Sequence, residues 1–235
     1  MSKIFKNQLK KFVQRWKQLT RKFDNKLTND TAIKDLMKHF LADEYSHEAN
    51  IGKADLGYGW LHYGYIRLLK PKRVLCVGSR HGYIPAVLAQ GCKDNGFGHV
   101  DFVDPGYGPE NKNGWTGEGY WKTERGKKSF LLFGLEKYIT LFLMTTQSFA
   151  KKYPKVSYDY IYIDGDHSFD GVSFDYQTFF PRLNHGGIIS FHDISVKEKK
   201  PEGKYGVWKL WKKIGRKNAI SINDPNSGVG FLQKQ

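Results

Sequence analysis

The pattern of hydrophobic residues divides the chain into short apolar runs and longer stretches with helical spacing. From about residue 72, the apolar runs are continuous and rich in Val, Ile and Leu. Runs of this kind are typical of strands that are buried on both faces of a parallel sheet. Five such strands are predicted, at residues 72–78, 99–106, 138–145, 158–165 and 186–193.

Helical spacing predicts helices at residues 83–91, 169–183 and 206–214, and residues 219–233 have the pattern of a β-hairpin around a polar turn. Strands that alternate with helices indicate an α/β fold, a mostly parallel sheet with helices on both faces. Ligands of such sheets bind beyond the carboxyl ends of the strands. We therefore expect a site among the residues that follow the predicted strands.

The first 27 residues have a different pattern, with apolar residues every three or four positions. This spacing predicts a helix whose apolar face carries Phe5, Leu9, Phe12, Trp16, Leu19 and Phe23. Lysines and arginines occupy the other face. Such a helix could pack on the domain or on a partner subunit, lie in the plane of an anionic membrane, or bind nucleic acid. We divide the chain into this basic helix with a helical lead-in (1–50) and one domain (51–235).

A long glycine-rich segment, residues 106–128, separates the second and third predicted strands. It carries Trp115 and Trp121. Connections of this length are commonly functional lids or insertions without structure of their own. We expect a lid loop over the site, with a simple surface insertion as the alternative.

Composition narrows the class of protein. The chain has 235 residues, 40% of them hydrophobic, and two cysteines, Cys76 and Cys92. No apolar run approaches the roughly 20 residues that span a bilayer, and a secretory signal is not expected. We expect a cytoplasmic protein, with contact at the inner face of a membrane left open. The net charge is +15, but residues 1–27 hold seven lysines, two arginines and one aspartate, so more than half of the excess lies there.

Two turns after predicted strands suggest a nucleoside ligand. Gly78 and Gly82 lie at a strand-to-helix turn, where glycine lets a backbone approach a ligand closely. The dinucleotide fingerprint G-x-G-x-x-G is absent, because Arg80 and Tyr83 occupy its second and third glycine positions. Asp104 ends the second strand, where a carboxylate can accept hydrogen bonds from the two hydroxyls of a ribose. Together these features favour a nucleoside-containing cofactor.

The region from about 72 to 232 resembles the class I S-adenosylmethionine-dependent methyltransferases. The resemblance rests on "VLCVGSRHGYIP", "VDFVDP" and above all "YDYIYIDGDHSFDGVSFDYQTFFPRLNHGGIISFHDI", with "GVWKLWKKI" and "GVGFL" in the tail. It is greatest for a branch that is often linked to methylation of sugars, glycans and secondary metabolites. The resemblance implies a Rossmann-like seven-stranded sheet with a reversed terminal hairpin.

The resemblance also assigns cofactor contacts to residues of this chain. Gly78, Ser79 and Gly82 would cradle the methionine moiety of S-adenosylmethionine, and Asp104 would hold its ribose. The segment Thr146-Gln147-Ser148 would lie near adenine, so Gln147 and Ser148 are cofactor-binding candidates. Cys76 stands where the family commonly has an acidic residue.

Methyl transfer to a hydroxyl needs a general base or a metal ion, because the pKa of an alcohol lies far above 7. Asp164 and Asp193 end neighbouring predicted strands, whose ends lie about 5 Å apart. Both are therefore catalytic candidates and candidate ligands of Mg²⁺ or another divalent cation. The resemblance implies a third ligand after the fifth strand. Ile194 cannot ligate, so that ligand would be water or His192, the latter provided that the chain turns after it.

His167 is the candidate general base, because its ordinary pKa lies near 6.5. The alternative is that it only stabilises the turn before the next helix. Asp166 and Asp170 are expected to form that turn and cap that helix.

The sequence thus predicts an S-adenosylmethionine-dependent O-methyltransferase acting on a sugar, a glycan or another small hydroxylated substrate. One alternative is a catalytically inactive binding module of the same fold, tethered through the basic helix. Another is a nucleic-acid methyltransferase, but the motifs that such enzymes commonly carry after strand four are absent, and a nucleic-acid partner is not expected. Peripheral membrane contact through residues 1–27 and a homo-oligomer are left open.

Overall fold

The computed structural model describes residues 28–44, 47–111, 117–197, 203–215 and 218–235, together with the backbone of 199–200. The predicted basic helix of residues 1–27 lies outside the described residues, and so does Trp115. Within the described residues, no helix is long and apolar enough to cross a bilayer.

Seven strands form one sheet in the order β3-β2-β1-β4-β5-β9-β8. The strands are β1 (Arg73–Val77), β2 (His99–Val103), β3 (Ile139–Phe142), β4 (Tyr158–Ile163), β5 (Leu183–His192), β6 (Lys199–Lys200), β7 (Gly203–Lys204), β8 (Ala219–Ile222) and β9 (Val229–Gln233). The first five are parallel, whereas β9 is antiparallel to both β5 and β8. The predicted fold, five strands and terminal hairpin are confirmed. The separate two-stranded ribbon of β6 and β7 was not predicted.

The helices are α1 (Asp30–His39), α2 (Gly59–Leu69), α3 (Tyr83–Asn95), α4 (Glu124–Leu132), α5 (Thr146–Lys152), α6 (Phe169–Phe179) and α7 (Val207–Ile214). The three predicted helices correspond to α3, α6 and α7. Helix α1 lies in the helical lead-in that was expected before residue 51, whereas α2, α4 and α5 were not predicted.

Alternating residues of the central strands build two cores, one on each face of the sheet. Val74 and Cys76 of β1 point into a core covered by α1 to α4, and Leu75 and Val77 point into a core covered by α5 to α7. Cys76 is fully buried. The residue at the position where the family commonly has an acid is therefore a core residue here.

The segment between β2 and β3 is not a lid loop throughout, as residues 106–128 were predicted to be. Residues 120–122 form a 3-10 turn, and α4 begins at Glu124 after the cap made by Thr123 Oγ1, which accepts from Gly126 N at 3.0 Å. A Cβ on Gly126 would lie 2.1 Å from Tyr120 O. Gly126 allows the start of α4 to pack closely against the preceding turn. Because glycine is also common in loops, its presence was taken as an indication of a loop.

Helix α6 begins at a turn that also fixes the position of His167. Asp166 Oδ1 accepts from Ser168 N at 2.9 Å, and Ser168 Oγ caps the helix by accepting from Gly171 N at 3.0 Å. Asp166 thus forms the turn, as predicted. Asp170 does not cap the helix as expected, but lies exposed in its first turn, where a negative charge stabilises the helix N-terminus.

Candidate active site

One cavity of about 460 Å³ lies beyond the carboxyl ends of the parallel strands. Its volume is within the usual range of cofactor and ligand sites. One end, here called the cofactor end, is lined by the turns that follow β1, β2 and β3. The other, the acceptor end, is lined by residues that follow β4 and β5, together with His47 and Tyr205.

The turn after β1 depends on two glycines with left-handed backbone. Gly78 has a φ of 75°, and a Cβ there would lie 2.3 Å from Asp164 O. Gly82 has a φ of 91°, and a Cβ there would lie 2.7 Å from Cη2 of Trp121. Ser79 Oγ accepts from Gly82 N at 3.0 Å and closes the turn. All three predicted residues line or shape the cofactor end.

Asp104 joins the turns after β1 and β2. Its Oδ2 accepts from Ser79 N at 3.1 Å and its Oδ1 from Gly106 N at 2.7 Å. Burial raises the pKa of Asp104 to about 6, although both backbone N–H groups favour the ionised form. Each carboxylate oxygen keeps a further lone pair for a hydroxyl donor.

The N-terminus of α5 forms the floor of the cofactor end. Thr146 and Gln147 line the cavity. Ser148, which was predicted beside Gln147 as a cofactor contact, does not line it. Ser148 N donates to Thr145 Oγ1 at 3.2 Å, and the two hydroxyl oxygens are 3.1 Å apart, so the Ser148 side chain belongs to the helix cap.

His167 lies between the two carboxylates at the acceptor end. Its Nε2 is 3.1 Å from Asp164 Oδ1, and its Nδ1 is 3.2 Å from Asp193 Oδ2. Asp164 directly follows β4, and Asp193 directly follows β5. The structure thus brings together the three residues predicted to be catalytic.

His192 joins the same cluster because the chain turns after it. Asp193 has a φ of 59°, which ends the alternation of the strand. His192 Nδ1 consequently lies 3.4 Å from Asp164 Oδ1 and 3.3 Å from Asp193 Oδ1. The chain therefore makes the turn that His192 needs to reach both carboxylates.

The two imidazoles offset the charges of the two buried carboxylates. Burial opposes ionisation of Asp164, but the neighbouring His192 and His167 hold its pKa well below the usual range. Burial likewise opposes protonation of His167, but its hydrogen bond to Asp164 and the charge of Asp193 raise its pKa above 6.5. The pKa of His192 is raised in the same way, well above 6.5, by Asp193 and Asp164 against the effect of burial.

Among the described residues, one group of three side chains has the spacing of a metal site. Ligand atoms of Asp164, His167 and Asp193 all lie within 4.8 Å of one another. His192, the third ligand expected from the sequence, is not in this group. The set fits a divalent cation chemically, because carboxylate oxygens and an imidazole nitrogen are common ligands of such ions and these atoms lie close together.

Two buried residues of the cavity were not identified from the sequence. His47 follows α1, and its ring centroid lies 4.6 Å from that of His192. Burial and the charge of His192 lower its pKa to about 3, and its Nδ1 has no hydrogen-bond partner within the described residues. Asp175 of α6 lines the cavity near Thr146, and burial raises its pKa to about 7. His47 has no motif around it, whereas Asp175 lies in the family-like stretch that follows β4.

The segment before α4 closes one side of the cavity. Trp121 is only 2% exposed, stacks on Phe130 with ring centroids 5.5 Å apart, and donates its Nε1–H to Ser79 O at 2.6 Å. Nearby, Glu118 lies 3.7 Å from Arg80 Nη1 and 3.3 Å from His81 Nε2. These contacts attach the second half of the predicted lid to the turn after β1.

Comparison with known proteins gives a family and a fold. Residues 75–194, half of the chain, match the family Methyltransf_24, described as "Methyltransferase domain". "Uncharacterized protein y4gI" of Sinorhizobium fredii is 24% identical over 180 residues, which cover 74% of this chain and 19% of that protein. The chain thus spans about a fifth of the length of this relative.

Several solved structures share the fold. An O-methyltransferase from Bacillus cereus in complex with SAH (S-adenosylhomocysteine) is 12% identical, with a TM-score of 0.60 over 90% of this chain and 94% of that chain. The O-methyltransferase TomG from Streptomyces achromogenes, in complex with SAM (S-adenosylmethionine), is also 12% identical, with a TM-score of 0.58 over 94% and 95%. The SAH-bound methyltransferase PaMTH1 from Podospora anserina is 14% identical, with a TM-score of 0.56 over 100% and 97%. With the family match over half of the sequence, the chain belongs to the class I S-adenosylmethionine-dependent methyltransferases.

Proposed function

We propose that this protein transfers the methyl group of S-adenosylmethionine to a hydroxyl oxygen of a sugar, a glycan or another small hydroxylated molecule. The observation that carries this proposal is the position of His167, held between Asp164 and Asp193 at the acceptor end of the cavity. An imidazole in that position can take the proton that a reacting hydroxyl loses.

The chemistry follows from the charges around that ring. The hydroxyl oxygen attacks the methyl carbon, the carbon–sulfur bond breaks, and its electron pair stays on sulfur, which leaves as S-adenosylhomocysteine. The hydroxyl proton moves to His167. Asp164 and Asp193 stabilise the imidazolium that forms, and their effect is seen in its raised pKa.

The cofactor would occupy the opposite end of the cavity. The turn from Gly78 to Gly82 lets the backbone before α3 approach the methionine moiety closely, and Asp104 has free lone pairs for the ribose hydroxyls. Thr146 and Gln147 line the space left for adenine. The related structures that contain SAM or SAH make this cofactor the natural occupant of the fold.

A divalent cation such as Mg²⁺ forms a second part of the proposal. Asp164, Asp193 and His167 would hold it, and His167 would then serve as a ligand in place of the general base. A bound cation supplies positive charge that lowers the pKa of a hydroxyl. His192 lies beside the same two carboxylates and would remain as their partner.

The state of the two cysteines bears on where the protein is located. Cys76 and Cys92 are both free and buried, which supports a cytoplasmic location. Contact of residues 1–27 with an anionic membrane surface remains a proposal. Co-sedimentation with liposomes, before and after deletion of these residues, tests it.

Calorimetric titration with S-adenosylmethionine, with and without Mg²⁺, tests the main proposal. We expect binding in both conditions, and transfer of a labelled methyl group to members of a panel of sugars and glycans. Addition of EDTA separates a metal-assisted reaction from one that depends on His167 alone. Absence of cofactor binding in both conditions would contradict the proposed function and favour the inactive binding module.

A further inference from the structure

The excess positive charge of this chain is confined to two segments. Residues 1–27 contribute +8 and residues 197–217 contribute +7, the latter from eight lysines, one arginine and two glutamates. The rest of the chain has twenty basic and twenty acidic residues, so its net charge is zero. The second segment therefore differs sharply in charge from the domain that contains it.

This second segment leaves the acceptor end of the cavity and returns to it. It starts four residues after Asp193 and passes through the β6–β7 ribbon to Tyr205, and both of these residues line the cavity. Tyr205 lies against His167, with ring centroids 5.1 Å apart, and Gly206 N donates to His167 O at 2.8 Å. The basic segment is thus attached directly to the proposed general base.

Helix α7 continues the basic segment along the surface. Its buried face consists of Val207, Leu210 and Trp211. Its start is pressed against α6, because a Cβ on Gly206 would lie 2.3 Å from Phe169 N. We define the lysine surface by the exposed residues Lys197, Lys204, Lys209, Lys212 and Lys213.

Among the residues that the structure describes, no carboxylate contacts the lysine surface. Within the described part of the chain, none of its five amines is in an ion pair. The amines of Lys197 and Lys209 lie 5.9 and 5.5 Å from the ring centroid of Trp208, and the amine of Lys213 lies 4.8 Å from that of Phe169. Two lysines in the last turn of α7 also stabilise its C-terminus. That effect does not account for lysines in the ribbon, which precedes the helix.

We infer that the lysine surface binds phosphate groups of the methyl acceptor, and that the acceptor is a phosphate-bearing glycan longer than the cavity. The lysines of α7 lie within about one helical turn, roughly 6 Å along the axis, and the amines of Lys197 and Lys209 both lie near Trp208, so several positive charges are close enough to contact neighbouring anionic groups. Attachment of the segment to His167 favours the acceptor over a membrane as its partner. The inference rests on the proposed function for the statement that the bound molecule is the methyl acceptor.

Binding of inorganic polyphosphate, measured by calorimetry over a range of salt concentrations, tests this inference. The α7 variant is Lys209→Gln/Lys212→Gln/Lys213→Gln, and the ribbon variant is Lys197→Gln/Lys204→Gln. The matched control, Lys151→Gln/Lys152→Gln/Lys155→Gln, removes three exposed lysines at and after the end of α5. Circular dichroism checks that all variants fold.

We expect the α7 variant to bind polyphosphate at least tenfold more weakly than the unmodified protein, and the ribbon variant at least threefold more weakly. The control should stay within twofold, and the salt dependence should be less steep in the first two variants. Trp208→Phe should remove most of the change in tryptophan fluorescence that polyphosphate causes.

Three results would overturn the inference. One is failure of the unmodified protein to bind polyphosphate, and another is equal loss of binding in the control variant. The third is binding only to vesicles of phosphatidylglycerol, which would assign the surface to a membrane. Titration of every variant with S-adenosylhomocysteine, together with the labelled-methyl assay of the unmodified protein, tests the proposed function separately, since none of these lysines lines the cavity.

Discussion

The two ends of the cavity are built in different ways. The cofactor end is formed by backbone turns and helix caps that immediately follow three neighbouring strands, with Gly78, Gly82 and Asp104 as their fixed points. The acceptor end is formed by side chains from distant parts of the chain, including His47 and Tyr205. A cofactor common to a family can be held by conserved backbone geometry, whereas an acceptor is recognised by side chains that each protein assembles for itself.

This division predicts that substitutions at the acceptor end change turnover and leave cofactor affinity almost unchanged. Replacement of His167 by Gln is expected to have the largest effect. Loss of a general base costs about a hundredfold to ten-thousandfold in rate. We expect kcat to fall by this amount, while the Kd for S-adenosylmethionine, measured by calorimetry, stays within about threefold.

His185→Gln is the matched control for this prediction, because His185 is exposed near the start of β5 and does not line the cavity. Equal loss of activity in both variants would show that the loss in His167→Gln is not specific to the position of His167. A large loss of cofactor affinity in the His167 variant would show that the two ends are not independent.

The converse substitution at the cofactor end is Asp104→Asn. The carboxylate of Asp104 accepts hydrogen bonds from two backbone N–H groups. The asparagine side chain has no negative charge and only one acceptor oxygen. Hydrogen bonds to a charged group contribute about 1.5–3 kcal/mol. We expect the Kd for S-adenosylmethionine to rise about tenfold or more, with kcat at saturating cofactor within about threefold. Asp43→Asn, at an exposed position, should change neither quantity.

The site residues at the ends of the strands could be predicted because the pattern that identifies them lies within a few neighbouring residues of the sequence. A buried strand that stops at a carboxylate identifies Asp164 and Asp193 without knowledge of the rest of the fold. The contact of His192 with both acids could be predicted only on the condition that the chain turns, because it needs the left-handed backbone of Asp193. Such a conformation of a non-glycine residue has no clear sequence signal.

The acceptor end was less predictable because its residues come together only in the folded chain. His47 lies more than one hundred positions before Asp164 and has no periodic pattern around it. The helical structure at the end of the predicted lid was missed for a related reason, since glycines that allow close packing of Trp121 and α4 resemble the glycines of a mobile loop. Ser148 was assigned to the cofactor by its neighbourhood, but it is used by the helix cap.

The two ends should also respond differently to pH. Methyl transfer requires neutral His167, whose pKa is raised above 6.5, so kcat should increase with pH through a midpoint above 6.5. Cofactor binding requires ionised Asp104, whose pKa is raised to about 6 by burial. We therefore expect cofactor affinity to weaken as the pH falls below about 6. Calorimetry and initial rates between pH 5 and pH 9 measure the two midpoints, and a single shared midpoint would contradict the separation.

The smallest expected effect concerns a residue that only positions the acceptor end. Tyr162 is fully buried in β4 and donates its hydroxyl to Asp164 Oδ2 at 2.9 Å. In Tyr162→Phe, Asp164 loses one hydrogen bond of about 1 kcal/mol while its contacts with His167 and His192 remain. We expect kcat to decrease about threefold to tenfold, with cofactor affinity unchanged.

Tyr160→Phe is the control for this last substitution, because Tyr160 lies two residues earlier on the same face of β4. Its hydroxyl interacts with His62 Nδ1 at 2.7 Å and Ser190 Oγ at 3.1 Å, and neither contact reaches Asp164. This variant should lower the free energy of unfolding by about 1 kcal/mol and leave kcat within twofold. If both variants lower kcat equally, the effect of Tyr162 comes from the stability of β4 and not from the orientation of Asp164, since loss of a buried hydroxyl contact is common to both.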